Sequence, residues 1–244
     1  MPATRHMVLL GGGGFLMTPT PAKPTPIDSF TLALTGRARP RVCLLPTACG
    51  DGPQQIEPFL RAFPRRRADA SVLRLFRREL DDAQLRAHLL SQDVIYIGGG
   101  NTANMLAVWR LHGVDRLLRQ AWRRGTVLTG VSAGANAWFQ ACSTDSFSGL
   151  APLRDGLGLL RGAVCPHFDG EAQRRPSLHR WVRARALPKT LAIDDFAAAH
   201  FVGTRLTEVV AERRGAQAYR VELRRGEVVE TALPARVLRG ARAR

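Results

Sequence analysis

Gly130-Val131-Ser132-Ala133-Gly134 sets a serine between glycines at the end of a short, mainly apolar run, Thr126 to Gly130. A strand that turns sharply into a helix needs small residues on both sides of the turn, because a Cβ there would meet backbone that doubles back. Such a turn lifts the Ser132 hydroxyl to the carboxyl ends of the strands, where open α/β folds hold their ligands. A helix start beneath it favours developing negative charge. Ser132 is therefore the candidate nucleophile.

A second glycine cluster, Gly98-Gly99-Gly100-Asn101-Thr102, follows the apolar stretch Asp93 to Ile97 and leads into another helical pattern. The backbone N–H groups of Gly99, Gly100 and Ala133 could together form an oxyanion hole. The plainer reading of Asn101 is a helix cap. A serine hydroxyl also needs a base. Of six histidines, His167 is best placed, just beyond the strand Ala163 to Cys165 within Pro166-His167-Phe168-Asp169. His88 and His179 lie in amphipathic helical stretches, His112 ends a helix, and His200 sits in an apolar stretch that reads as core. A carboxylate must then orient the imidazole and stabilise its charged form. Asp194, Asp195 and Asp145 are the candidates, and spacing does not rank them.

The elements that must position these groups alternate along the chain. Strands are expected at His6 to Leu10, Arg41 to Pro46, Ser71 to Phe76, Asp93 to Ile97 and Thr126 to Gly130. Helices are expected at Ile27 to Leu34, Gln54 to Phe63, Asp82 to Leu90, Asn101 to Leu111, Val114 to Arg123 and Ala133 to Gln140. Continuous apolar strands between helices imply an α/β fold, a mostly parallel sheet sandwiched by helices. The first strand ends in Gly11-Gly12-Gly13-Gly14, a run that lets backbone turn tightly or approach a neighbour closely. It lacks the glycine spacing of a dinucleotide fingerprint. Residues 18 to 26 carry four prolines and read as a loop. Beyond residue 190, Ala192 to Asp194, His200 to Val202, Glu208 to Glu212, Ala218 to Leu223 and Val228 to Leu233 read as a C-terminal β meander.

At 244 residues one domain, 1–244, is expected. Met1 to Leu10 lacks the apolar core and cleavage site of a secretory signal, and no apolar run approaches the ~20 residues of a membrane span. The expectation is a cytoplasmic protein without membrane contact. Cys43, Cys49, Cys142 and Cys165 have none of the paired spacing of a zinc site or disulfide framework, so buried free thiols are expected. The formal net charge of +16 invites a nucleic-acid reading, but the arginines are dispersed and no recognised binding module accompanies them. A solvated basic surface is the simpler account, and nucleic acid is not the expected partner.

Taken together, Gly11 to Phe15, Gly98 to Thr102, Gly130 to Ala135, Thr144-Asp145-Ser146-Phe147, Pro166-His167-Phe168 and Ala192-Ile193-Asp194-Asp195 occur in the order found in the peptidase E family, which this chain resembles along nearly its whole length. That family of serine exopeptidases includes aspartyl dipeptidases and cyanophycinases. The resemblance implies a flavodoxin-like fold similar to class I glutamine amidotransferases, with serine in place of their cysteine. It implies Ser132 as nucleophile, His167 as general base and Asp195 as third member, with oxyanion donors at Gly99 or Gly100 and Ala133. No metal or organic cofactor is implied. The implied partner is a small peptide, with an amino-terminal Asp as the favoured residue, and the implied assembly is a monomer or homodimer. An Asp side chain needs a cation. Family dipeptidases carry Gly-Glu-Thr-Arg in the loop after the histidine; here the run is Gly170-Glu171-Ala172-Gln173-Arg174-Arg175, shorter and with arginine displaced by one place. Arg174 and Arg175 are thus candidate substrate contacts, with Asn101 and Asp145, which lie in family-like segments near the turn. The alternative is a cyanophycin-like or isoaspartyl substrate, whose arginine side chain would face acids such as Asp169 and Glu171. A reading of another class, a non-catalytic protein holding nucleic acid on its basic surface, would make Ser132 dispensable.

Overall fold

In a computed structural model of the protein, residues 4–18 and 23–239 are described. Residues 19–22 of the expected proline-rich loop lie outside them, as do 1–3 and 240–244. Strand β1 (His6–Leu10) is central in an eight-stranded sheet ordered β14-β11-β10-β1-β5-β4-β2-β3. Its neighbours β5 (Val127–Val131), β4 (Val94–Ile97), β2 (Arg41–Leu45) and β3 (Asp69–Val72) run parallel to it. Register places Leu10 opposite Val131, Ile97 opposite Gly130 and Leu45 opposite Ile97. The three glycine-bearing turns therefore leave the sheet side by side at one edge.

Alternate residues of these strands enter different cores, as period-two side chains must. Val8, Leu10, Val42, Leu44, Val94 and Tyr96 pack against Ile27 of α1 (Pro26–Ala33) and Ile56 and Phe59 of α2 (Pro53–Ala62). Met7, Leu9, Ile95, Ile97 and Leu128 pack on the other side with α3 (Asp82–Leu90), α4 (Thr102–His112), α5 (Val114–Arg123) and residues of a second sheet. Helix starts follow the sequence closely. Thr25 and Asp28 form a capping box with Pro26 at the first helical position, and Asp81 with Gln84 forms another.

The second sheet is ordered β13-β12-β9-β8-β6-β7. It contains β6 (Phe139–Thr144), β7 (Ala151–Leu153), β8 (Leu160–Cys165), β9 (Thr190–Ile193), β12 (Ala218–Arg224) and β13 (Glu227–Leu233). One face shares the core with the first sheet; the other is covered by Leu178, Trp181 and Val182 of α7 (Arg174–Arg183). The expected C-terminal meander is divided between the sheets. β10 (Ala197–Val202), β11 (Arg205–Ala211) and β14 (Ala235–Val237) extend the first, while β12 and β13 extend the second.

Two expected elements are shorter. The helix over 133 to 140 is the single turn α6 (Ala133–Asn136), after which the chain enters β6. Its small residues suit a helix, but the parallel ladder to β8 and burial of Phe139, Ala141 and Cys142 outweigh that local preference. The strand over 71 to 76 leaves the ladder after Val72, because the Leu75 and Phe76 N–H groups donate to the Asp51 carboxylate at 2.6 and 2.8 Å. The four cysteines are unpaired, and burial pushes the Cys43 and Cys142 thiols up to about 12. Among the described residues no helix is long and apolar enough to cross a membrane.

Candidate active site

Ser132 follows β5 with φ 56° and ψ −113°, a left-handed conformation that costs a non-glycine residue about 1–3 kcal/mol unless its surroundings impose it. They do. A Cβ on Gly130 would strike the Gly134 backbone, and one on Gly134 would strike the Ile97 carbonyl, so α6 lies directly against the ends of β4 and β5. The Ser132 N–H donates to the Leu10 carbonyl at 3.2 Å, tying the turn to the end of β1. Because α6 is one turn long, negative charge at Ser132 would be met by individual N–H groups rather than by a helix dipole.

Gly99 sits against this turn, and a Cβ built on it would lie 3.4 Å from the Ser132 Cβ. Gln55 of α2 donates to the Gly99 carbonyl at 2.9 Å and so fixes that peptide. Gly100 has φ 130°, and its Cα hydrogens face the Ala48 carbonyl, where a Cβ would collide. Among the described residues, the N–H groups of Gly99, Gly100 and Ala133 have no hydrogen-bond acceptor.

The end of β8 lies beside β9, with Cys165 opposite Ala192, so residues just past each strand meet. His167, at φ 52°, hydrogen-bonds through Nδ1 to Asp195 Oδ1 at 2.7 Å, and both side chains are mostly but not fully buried. An ionised carboxylate only accepts, which assigns the proton to Nδ1 and leaves Nε2 as the imidazole's basic nitrogen. Asp195 is itself fixed: its N–H donates to Asp169 Oδ1 at 2.7 Å. A Cβ on Gly12 would press on Asp195 Oδ1 and lie 2.9 Å from His167 Cε1, and one on Gly170 would press on Asp195 Oδ2. The carboxylate is thus held between two bare backbone segments. Gly12 also accepts the Phe196 N–H at 2.9 Å, so the end of β1 braces both the serine turn and the acid.

The other carboxylate candidates lie elsewhere. Asp194 turns away and accepts the Gln217 N–H at 3.1 Å; burial, then the neighbouring Asp169 charge, pushes it up to about 6. Asp145 is exposed on the loop after β6. Asn101 caps α4, accepting the Asn104 N–H, and its amide donates to the Ser146 carbonyl at 2.9 Å. Arg174 is almost wholly buried, with Nε on Glu171 at 2.7 Å and Nη1 on the Ser143 carbonyl at 3.2 Å. Arg175 pairs with Glu230 at 3.0 Å and stacks its guanidinium over Phe168. Asp169 and Glu171, expected to face an arginine side chain of a polymer, have partners within the chain. Gly12, Gly170 and Gln55 were not singled out as site residues. The four-glycine run advertised a close approach without naming its partner, while nothing in the sequence marks Gln55. Among the described residues, no cluster of three or more His, Cys, Asp or Glu is arranged to hold a metal.

A strained serine turn at the carboxyl edge of a flavodoxin-like α/β scaffold, with a histidine–carboxylate pair at the same edge, is the architecture of a serine-type peptidase. The comparisons agree. Residues 7–209 match the model of peptidase family S51. The chain is 42% identical over 234 residues to the "Uncharacterized peptidase YgaJ" of Bacillus subtilis strain 168, covering 96% of this chain and 99% of that one. It is 34% identical to a peptidase E of Citrobacter koseri over 87 residues, 34% of this chain and 37% of the relative. The crystal structure of a peptidase from an acI-B1 Actinobacterium shares the fold with a TM-score of 0.71, covering 96% of both chains at 19% identity. The chain belongs to peptidase family S51, and its substrates are peptides.

Proposed function

We propose that the protein is a dipeptidase that releases the carboxyl-terminal amino acid from Asp-X dipeptides through a Ser132–His167–Asp195 triad. The observation that supports the triad is the 2.7 Å His167–Asp195 contact, which puts the ring proton on Nδ1 and leaves Nε2 free to serve as base for Ser132. His167 Nε2 takes the Ser132 proton as Oγ attacks the scissile carbonyl. The oxyanion of the tetrahedral intermediate is met by N–H groups of Gly99 or Gly100 and Ala133. His167 then returns the proton to the leaving amine, and water, deprotonated by the same Nε2, attacks the acyl-enzyme to release the first residue and restore Ser132.

The Asp preference rests on Arg174. Its guanidinium is held by Glu171 and Ser143, yet Nη2 has no acceptor among the described residues. A buried guanidinium oriented in advance loses little freedom when it takes a carboxylate. Both arginines are ion-paired, but Arg174 also bonds to the Ser143 carbonyl, which the Asn136 amide of α6 ties to the serine turn, so Arg174 is the better candidate. Four unpaired thiols suit a reducing, cytoplasmic setting, and a monomer or homodimer suffices, since the proposed mechanism draws on residues of one chain.

The test is hydrolysis of Asp-Leu by wild type and by Ser132→Ala. Loss of at least about 10³-fold in kcat by a folded variant is expected. Unchanged turnover in a homogeneous preparation refutes the triad, and faster cleavage of dipeptides lacking Asp refutes the specificity.

A further inference from the structure

The segment Thr144-Asp145-Ser146-Phe147 is held to the start of α4 more firmly than an ordinary surface loop. The Asn101 amide donates to the Ser146 carbonyl at 2.9 Å, and the Ala103 N–H donates to Ser146 Oγ at 3.1 Å. Thr144 Oγ1 lies 2.7 Å from Ser146 Oγ and 3.3 Å from Thr102 Oγ1, and the buried Asn136 amide donates to both Thr102 Oγ1 and the Ser143 carbonyl. Asn136 belongs to α6, directly after Ser132, and Asn101 directly follows the Gly99–Gly100 pair. The loop is therefore fastened directly to the start of α4, and through Thr102 and Ser143 to the α6 side of the nucleophile turn. At its tip Phe147 is 60% exposed.

A single exposed phenyl group is common on protein surfaces. This one differs in that the carbonyl of the residue before it is fixed by Asn101, two residues beyond the Gly99 that packs on the serine turn, and a fixed neighbour favours reproducible side-chain contacts. Arg174 bonds to Ser143, on the approach to the same loop, and under the reading above it holds the amino-terminal residue of the substrate. The substrate surface left for Phe147 is the other residue.

We infer that Phe147 is a specificity-determining residue: its ring packs against the side chain of the leaving amino acid and favours apolar residues there. The inference rests on the peptidase reading, and its experiment separates the two. kcat/KM is measured for Asp-Leu and Asp-Ala with wild type, Phe147→Ala, Phe147→Leu and Leu111→Ala. Leu111 is an exposed residue near the far end of α4 and serves as control. Wild type should favour the leucine substrate about 10-fold. Phe147→Ala should bring the ratio within about twofold, chiefly through KM; Phe147→Leu should keep part of it, and Leu111→Ala all of it. A ratio unchanged in Phe147→Ala, or an equal loss on both substrates, overturns the inference. If wild type prefers another amino-terminal residue, the Asp reading fails, and the same ratio measured with that residue decides the role of Phe147. Failure to cleave any dipeptide overturns both.

Discussion

Gly12→Ala probes the bracing of the proposed triad without replacing any of its three residues. The added methyl carbon would lie 2.9 Å from both Asp195 Cγ and His167 Cε1 and closer still to Asp195 Oδ1. Non-bonded carbons settle at about 3.5–4.0 Å, so these two carbons must withdraw by roughly 0.6–1.1 Å and the closer Oδ1 by at least about 1 Å. Gly170 closes the opposite side of the carboxylate, so Asp195 cannot simply step back. A displacement of this size in a catalytic array lowers turnover by about 10²-fold, or ~2.7 kcal/mol in barrier height. Overpacking should destabilise the fold by about 1–3 kcal/mol, leaving a folded protein to assay. The measurement is kcat and KM on the best dipeptide, with circular dichroism to verify folding. Because the methyl acts through the histidine–carboxylate pair, Gly12→Ala should add less than about threefold in an Asp195→Ala background, where its main obstacle is gone. A folded Gly12→Ala enzyme with kcat within threefold of wild type would refute the bracing, as would full additivity in the double variant.

Arg174→Gln should abolish the preference for Asp-Leu over Asn-Leu, expected to exceed about 10²-fold in wild type; the ratio of kcat/KM values does not depend on the folded fraction, and its persistence would send the specificity elsewhere. Asp28 is 2% exposed, and burial, reinforced by the Glu212 charge, pushes its carboxyl up to about 7. The folded chain therefore keeps this proton between pH ~4 and ~7, where the unfolded chain has released it, and stability falls as pH rises through that window. Asp28→Asn should remove the part of that decline lying between pH 5 and pH 8, up to about 3 kcal/mol, read as a smaller difference in urea midpoint between the two. The 1–244 chain should unfold in one transition seen alike by tryptophan fluorescence and circular dichroism, because one core joins both sheets.

Local rules made much of the first sheet readable. β1 and β2 and the helices α1 to α5 end within a residue or two of their expected limits, since apolar runs, caps and glycines mark them. The serine turn was legible from its own pentapeptide: Gly130 is required by the Gly134 backbone four residues on, although the contact that requires Gly134 comes from the distant Ile97 carbonyl. What escaped depends on distant partners. β6 is a strand because β8 pairs with it, and β12 joins the second sheet because β9 is its neighbour there. Sequence spacing left Asp194, Asp195 and Asp145 equal. Choosing among them in the fold depends on which way a carboxylate points after β9, which Gly12 governs from the loop after β1 and Asp169 and Gly170 govern from the loop after β8. Arg174 and Arg175 looked interchangeable, yet one is buried against Ser143 and the other stacks over Phe168.

The division of the final strands between two sheets also fixes an order of assembly during synthesis. β1 emerges first but lies between β5 and β10, so one of its edges stays unpaired until residues 197–202 have been made. Asp195 stands just ahead of that strand and arrives with it. The serine turn can form earlier, when β4 and β5 meet, but its histidine has no carboxylate partner until the last quarter of the chain is in place. A ribosome-bound or truncated chain would expose an open apolar strand edge, the kind of surface chaperones cover. Under the triad proposed above it would also lack the carboxylate that orients His167, so catalytic competence and pairing of the second edge of β1 would be acquired in the same step.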